Sequence, residues 1–242
     1  MFILIPHQNF SGDINFSVES EVSNYELKRA YSSDIKEYAK IPAASKISFD
    51  FSAINSGTQA LLIWSKNYSG TPAMQSSSSY DFSVINTLNI ASAYGTNKKL
   101  VVYSNQGSLF YRINPIGVDV DLKQMSFGRL YNLPNSARLE NRTHSYKYEL
   151  SEIYFNLLGE KRYSGFENQG MRRSHNLDFE YLSETDKNTL IDIFTLGRGC
   201  LPVWYIDDPN DATSWMLVKL KELNYSEPYA GYFNVSISME EF

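Results

Sequence analysis

NLDFEYLSETDKNTLIDIFTLGRGCLPVWYI, residues Asn176 to Ile206, reads as strand, capped helix, glycine stop and strand. Leu177, Phe179 and Tyr181 alternate with Asn176, Asp178 and Glu180, the period of a strand with one face buried and one wet. All three apolar residues are therefore expected to point inward. The pattern changes at Ser183, whose hydroxyl suits the free N–H groups of a first helical turn, while Glu184 and Asp186 set negative charge at the positive end of the helix dipole. Leu190, Ile193 and Phe194 recur at helical spacing. The spacing predicts a helix over Glu184 to Leu196 that packs this face onto a sheet containing Leu177, Phe179, Tyr181 and Val203. Gly197 and Gly199 end it. Leu201 to Ile206 then has the apolar, aromatic-rich composition of a strand packed on that helix.

Working outward towards the C-terminus, Asp207-Asp208-Pro209-Asn210-Asp211 reads as a turn and Trp215 to Leu220 as a returning strand. Phe233, Val235, Ile237 and Met239 alternate with Asn234, Ser236, Ser238 and Glu240, the cleanest strand pattern in the chain. Towards the N-terminus, Tyr146 to Asn156 offers one or two strands, and Gly159 to Gly170 reads as a long polar loop. Leu133-Pro134-Asn135-Ser136 interrupts the pattern, because a proline pushes the preceding residue to extended geometry. A domain boundary is expected there, dividing the chain into residues 1–136 and 137–242.

The first half alternates at Ile14 to Ser20 and at Lys46 to Phe51, with Asn55-Ser56-Gly57 as a turn. Ala60 to Ser65 is a near-continuous apolar run suited to a strand covered on both faces. Tyr25 to Lys40 is irregular, a helical turn or a loop. Gln75 to Ser79 is serine-rich and reads as a linker, an exposed strand or a loop tip. Lys98 to Ser104 and Leu109 to Asn114 flank Asn105-Gln106-Gly107-Ser108, which reads as a hairpin turn, and Met125 to Tyr131 supplies a last strand. The total, about seven strands and then about six with one helix, is an all-β fold of two β-sandwich-like domains.

Composition narrows the function. A net charge of −5 over 242 residues gives no basic footprint for nucleic acid. A single cysteine, Cys200, excludes an internal disulfide. Phe2 to Ile5 is an apolar run ended by Pro6, far short of a signal-peptide core or a membrane span, so the expected product is soluble and made in the cytoplasm. The Asn67 and Asn141 sequons then reflect an Asn- and Ser-rich composition.

No catalytic constellation is found, and the chain is not expected to be an enzyme or to hold a cofactor or a metal. His7, His144 and His175 are far apart in sequence and lack metal-ligand spacing. Asp207, Asp208 and Asp211 lack the alternation and distal Glu of an EF-hand loop and read as a solvated turn. Cys200 lies between a glycine and an apolar strand, where a thiol behaves as a small hydrophobe. The adjacent Glu240 and Glu241 point to opposite faces of a strand. Trp64, Tyr68, Trp204, Tyr205 and Trp215 suit either sugar stacking or a core, and the core is the commoner use.

Two patches together carry a resemblance. Ile47 to Phe51, Ala60 to Ser69 and Phe127-Gly128-Arg129-Leu130-Tyr131 resemble the galactose-binding-like, discoidin-type jelly roll at the front of some tailed-bacteriophage tail proteins. The order strand, helix, Gly, aromatic strand, Asp/Pro turn, Trp strand and final strand ending in Glu-Glu resembles the C-terminal domain of phage minor tail and distal tail proteins. The resemblance implies an N-terminal jelly roll, then a tail-tube-like β-sandwich with a flanking helix. It implies a virion protein of the tail tip or baseplate that assembles in a ring with copies of itself and with other tail proteins. The alternative is a carbohydrate-binding, host-adhesion module acting near Asn67 and Tyr68. For assembly, the expected contacts are the Gly159 to Gly170 loop and Arg172-Arg173 against Asp207, Asp208 and Asp211 of a neighbour.

Overall fold

The computed structural model describes residues 1–6, 14–18, 39–51, 58–103, 108–114, 117–134, 143–147, 153–155, 161–163, 172–197 and 202–241. The first half supplies β1 (Phe2–Pro6), β2 (Ile14–Val18), β3 (Ala39–Ile41), β4 (Ile47–Phe51), β5 (Gln59–Ser65), β6 (Met74–Ser77), β7 (Asn86–Thr87), β8 (Ile90–Tyr94), β9 (Lys98–Tyr103), β10 (Phe110–Ile113) and β11 (Val120–Asn132). The second supplies β12 (Thr143–Lys147), β13 (Ile153–Phe155), β14 (Lys161–Tyr163), β15 (Arg172–Leu182), α1 (Glu184–Gly197), β16 (Pro202–Ile206), β17 (Trp215–Tyr229) and β18 (Tyr232–Glu241). This is an all-β fold with one α-helix among the described residues.

One 11-stranded sheet runs in the order β12-β15-β18-β17-β16-β1-β11-β5-β9-β8, with β3 also paired to β11. A 5-stranded sheet has the order β2-β4-β10-β6-β7, and β13 and β14 form a 2-stranded ribbon. The long sheet has strands from both halves, and β1 is the link. It is antiparallel to β11 on one side, with Leu4 opposite Leu130, and to β16 on the other, with Leu4 opposite Trp204. Ile3, Leu4 and Ile5 are fully buried, so the run is continuous instead of alternating, as in a strand covered on both faces.

Side chains alternate across the sheet, so its two faces have separate cores. On one face, Leu61, Ile63, Val101, Tyr103 and Phe127 meet Ile47, Phe49, Met74, Tyr111 and Ile113 of the 5-stranded sheet, which makes the first half a sandwich. Phe127 is the centre of that layer, with its ring 5.1 Å from Phe49 and 5.2 Å from Tyr111. Farther along the same face, Ile3, Ile5, Leu177, Phe179, Val203, Val218, Val235 and Ile237 pack under Leu190 and Ile193 of α1. Ser183 caps that helix as its spacing predicts: its hydroxyl accepts the Asp186 N–H at 3.2 Å and donates to the Asp186 carboxylate at 2.7 Å. Phe194 is only partly buried against this core.

The opposite face buries Leu4, Ala60, Leu62, Leu100, Val102, Leu130, Trp204, Ile206 and Trp215 in one cluster, drawn from both halves. The sheet curls over this cluster. Gly95, before β9, lies against Trp215 at the start of β17, and the rings of Phe2 and Tyr94 are 6.3 Å apart. Gly95 has φ +74, and a Cβ there would sit 2.2 Å from the Lys98 carbonyl oxygen, so only glycine fits this turn.

Four expectations are revised. Gln75 to Ser79 is not a linker: Met74–Ser77 is an inner strand with Ser76 and Ser77 fully buried, and only Ser78 and Ser79 lie in the loop that follows. β9 and β10 are not a hairpin, because β9 pairs with β5 and β8 while β10 pairs with β4 and β6, and the chain changes sheets between them. The Gly159 to Gly170 stretch contains a strand, β14, paired to β13. Tyr181 does not point inward: the β15–β18 register slips between Phe179 and Leu182, and Leu182 takes the buried position. The irregular Tyr25 to Lys40 segment falls mostly outside the described residues, with only Ala39 and Lys40 of β3 inside them.

Candidate functional site

The alternation that buries Phe179, Val235 and Ile237 under the helix leaves polar side chains on the other face of β15, β18 and β17. Asp178 and Asn224 both stand opposite Ser236 in register, and Ser226 stands opposite Asn234. The sheet is concave here. Asp178, Glu180, Asn224, Ser226, Asn234 and Ser236 line a groove of about 350 Å³ with carboxylate, amide and hydroxyl groups. Its lining holds two acids and no lysine or arginine.

Outside the groove's lining, the ends of the same strands carry exposed tyrosines. Tyr181 has φ +56, a left-handed backbone that a bulky residue rarely adopts. Its N–H donates to Asn234 Oδ1 at 3.1 Å, which holds the bulge in place. The bulge turns the Tyr181 ring out, 53% exposed, to stack on Tyr229 with centroids 6.3 Å apart and planes 20° apart. Tyr229 and Tyr232 face each other across the Ala230-Gly231 turn, where Gly231 takes φ +78 and its N–H donates to Glu227 Oε1 at 2.8 Å. Tyr225 lies on the helix side of the same hairpin, 5.7 Å from the Lys187 ammonium.

A second constellation joins the halves. The Lys98 ammonium lies 5.0 Å from both the Trp64 and the Trp204 ring centroids and donates to the Trp215 carbonyl oxygen. Trp204 Nε1 donates to Ser126 Oγ at 3.0 Å. Burial pulls the Lys98 amine down to about 8, against the opposing pull of the Glu241 carboxylate. Two rings and a carbonyl take the place of water around this cation, and the arrangement closes the curl of the sheet.

The structure sorts the residues singled out from sequence. Trp204, Tyr205 and Trp215 are buried core residues, while Trp64 is half-buried and Tyr68 packs partly buried against the sandwich core. Asn67 fastens a turn: its side-chain nitrogen donates to the Asp119 carbonyl at 2.9 Å and its oxygen accepts the Asp121 N–H at 2.9 Å. His144 and His175 are directly opposite each other in β12 and β15, and His175 is buried.

The aspartate turn is held by its own residues. Asp207 accepts from the Tyr205 hydroxyl, Asp208 from the Asn210 N–H, and Asp211 from the Thr213 N–H and hydroxyl, which lowers the Asp211 carboxyl. Among the described residues no group of His, Cys, Asp or Glu is placed to hold a metal, and no helix is long and apolar enough to cross a membrane. Arg172 and Arg173 pair with Lys147 and Tyr146 at the far end of β15. His7, Asn141 and Cys200 lie outside the described residues.

Sequence reasoning turned Tyr181 inward and passed over Tyr229, Tyr232 and Lys98. The tyrosine pair around Ala230-Gly231 was a usable hairpin-tip signal. Nothing local marked Lys98, whose partners are distant in the chain.

No protein-family model matches the chain, and no curated protein matches it. Among solved structures, a chain in the tail of an empty GTA particle, computed with helical refinement in C6 symmetry, is similar at a TM-score of 0.29 and 12% identity. The likeness covers 48% of this chain and 83% of that one.

Proposed function

We propose that this chain is a structural protein of a tailed-phage or phage-like particle, placed in the tail tip or baseplate, acting by self-association and by docking neighbouring tail proteins. Residues 137–242 carry one assembling edge, and residues 1–136, which also decorate or anchor, carry the other. The reading assigns no turnover, cofactor or metal to the chain. The motifs that resemble phage tail domains support the setting.

The observation that carries the mode of action is the long sheet with two open ends. Among the described residues, β12 at one end pairs only with β15, and β8 at the other pairs only with β9. Open edges invite pairing with another chain, and proteins ordinarily cover or blunt them. Ile90 of β8 is exposed, and Val84 and Ile85 are exposed just before β7, the end strand of the 5-stranded sheet. The second half also has the β13–β14 ribbon, a two-stranded unit that is marginal alone and gains from a covering neighbour. Two unlike ends make a heterologous contact, which closes into a ring when the rotation between copies allows it.

The test is the solution mass of the full chain over a range of concentrations. A ring gives one discrete multiple of the chain mass, and Ile85→Lys with Ile90→Lys returns it to the monomer. A chain that is monomeric at every concentration, and that is missing from the tail of the particle, would overturn the assignment.

A further inference from the structure

We infer that the outer face of the 5-stranded sheet carries a docking site for an acidic segment of another protein, with Arg112 as the anchor that grips a carboxylate. The site is independent of ring assembly, which uses strand edges. Strand alternation puts Tyr111 and Ile113 of β10 in the sandwich core and turns Phe110 and Arg112 to the other side, where Gln75 of β6 stands opposite Arg112.

The Arg112 guanidinium is held from two directions. Its Nε–H donates to Gln75 Oε1 at 2.7 Å, and its central carbon lies 4.3 Å from the centroid of the Phe82 ring. These contacts use one N–H and one face of the group. The terminal nitrogens, which carry the remaining N–H donors, have no hydrogen-bond or ion-pair partner among the described residues. The acid on the same loop as Phe82 is already engaged. Asp81 accepts the Ser83 N–H at 3.0 Å, and hydrogen bonds from Ser79 and Ser83 hold its carboxyl below the ordinary value. The loop therefore ties up its own acid and leaves the guanidinium fork open. Because the fork is already oriented, little freedom is lost when it closes on a carboxylate through two parallel hydrogen bonds.

The surroundings select the partner. Tyr80, 74% exposed, stands edge-on to Phe110, with centroids 5.9 Å apart and planes at 80°. Phe82, Phe110 and Arg112 are half-buried. An arginine among aromatic rings is the composition of an interface hot spot, where the rings keep water from the charged pair. The complementary surface is a Glu or Asp beside an apolar side chain. Phosphate groups are met by clusters of arginines, and Arg112 is the one arginine in the five strands of this sheet, so a carboxylate is the fitting anion.

The test offers the full-length protein a library of synthetic peptides, each with one central Glu or Asp between apolar residues, beside matched Gln, Asn, Lys and phosphoserine peptides. Fluorescence anisotropy then follows the best acidic peptide. Binding is expected to be confined to the acidic peptides and to weaken as salt rises. It should fall about tenfold or more in Arg112→Ala and also in Arg112→Lys, which keeps the charge without the fork, and severalfold in Tyr80→Ala. Tyr229→Ala, an exposed tyrosine on the other half, should leave it unchanged. Thermal melts of each variant separate lost binding from lost fold. Four results would each sink the proposal: no binding at millimolar peptide, amide peptides that bind as well as the acids, affinity that Arg112→Lys leaves intact, and a preference for phosphoserine. Self-association that Arg112→Ala dissolves would overturn it too, by giving the face to a second copy.

Discussion

The two halves cover the same face of one sheet with different layers. Over β5, β9 and β11 the cover is a second sheet, whose strands come from residues 14–18 to 110–113 and share the burial among Ile47, Phe49, Met74, Tyr111 and Ile113. Over β15, β16, β17 and β18 it is one helix of 14 consecutive residues that fully buries only Leu190 and Ile193. The helix is local and capped at its own start, so it forms without a long loop to close. The strand layer has to bring distant segments together. The first cover is slower to assemble but redundant, and the second is easily formed but rests on few contacts. The shared cluster on the other face, centred on Trp204 and Trp215, couples them.

The largest expected effect is at that coupling. Trp204→Ala removes a buried ring, the Ser126 hydrogen bond and one wall of the Lys98 site, and should cost about 3–5 kcal/mol. Urea unfolding followed by far-UV and near-UV circular dichroism should show both halves melting together at a lower midpoint. Two separated transitions would break the comparison, since they would make the covers independent.

A smaller effect tests how narrowly the helix is seated. Leu190→Ala should destabilise by about 2–4 kcal/mol, while Phe194→Ala, at a half-buried position, should cost about 1–2 kcal/mol despite removing a larger side chain. Equal losses in chemical denaturation would show that the helix has a broader footing than its two buried residues.

The smallest effect is a pH dependence. Lys98 has its folded pKa pulled from 10.5 to about 8, so between those values the unfolded chain binds more protons and stability rises with pH. The gain is lost as pH falls through about 8, and it amounts to about 1–3 kcal/mol at most. Above about pH 10 the sign reverses, because burial raises the Tyr103 hydroxyl and stability is lost as unfolded tyrosines ionise. Denaturant midpoints measured between about pH 7.5 and 9.5 should rise in the parent and stay flat in Lys98→Met. A Lys98→Met curve that rises equally would remove Lys98 from the coupling of the two halves.

Strand alternation and the Ser183 cap depend on neighbours in the chain, and the sequence by itself determined them: β4, β5, β15, α1, β16 and β18 lie where their patterns place them, while Gly199 of the expected glycine stop lies outside the described residues. Sheet membership is different, because a strand shows what it buries but not what it pairs with. Tertiary structure alone seated Phe2–Pro6 between the halves and sent β9 and β10 to different sheets. Tyr181 shows the limit most plainly. Its alternation with Asp178 and Glu180 pointed inward, and only the slip against β18, fastened by Asn234, turned it to solvent. Lys98 is the same case in the interior, since its two rings and its carbonyl partner come from strands far apart in sequence, and no local pattern encodes a contact that forms only when the sheet curls.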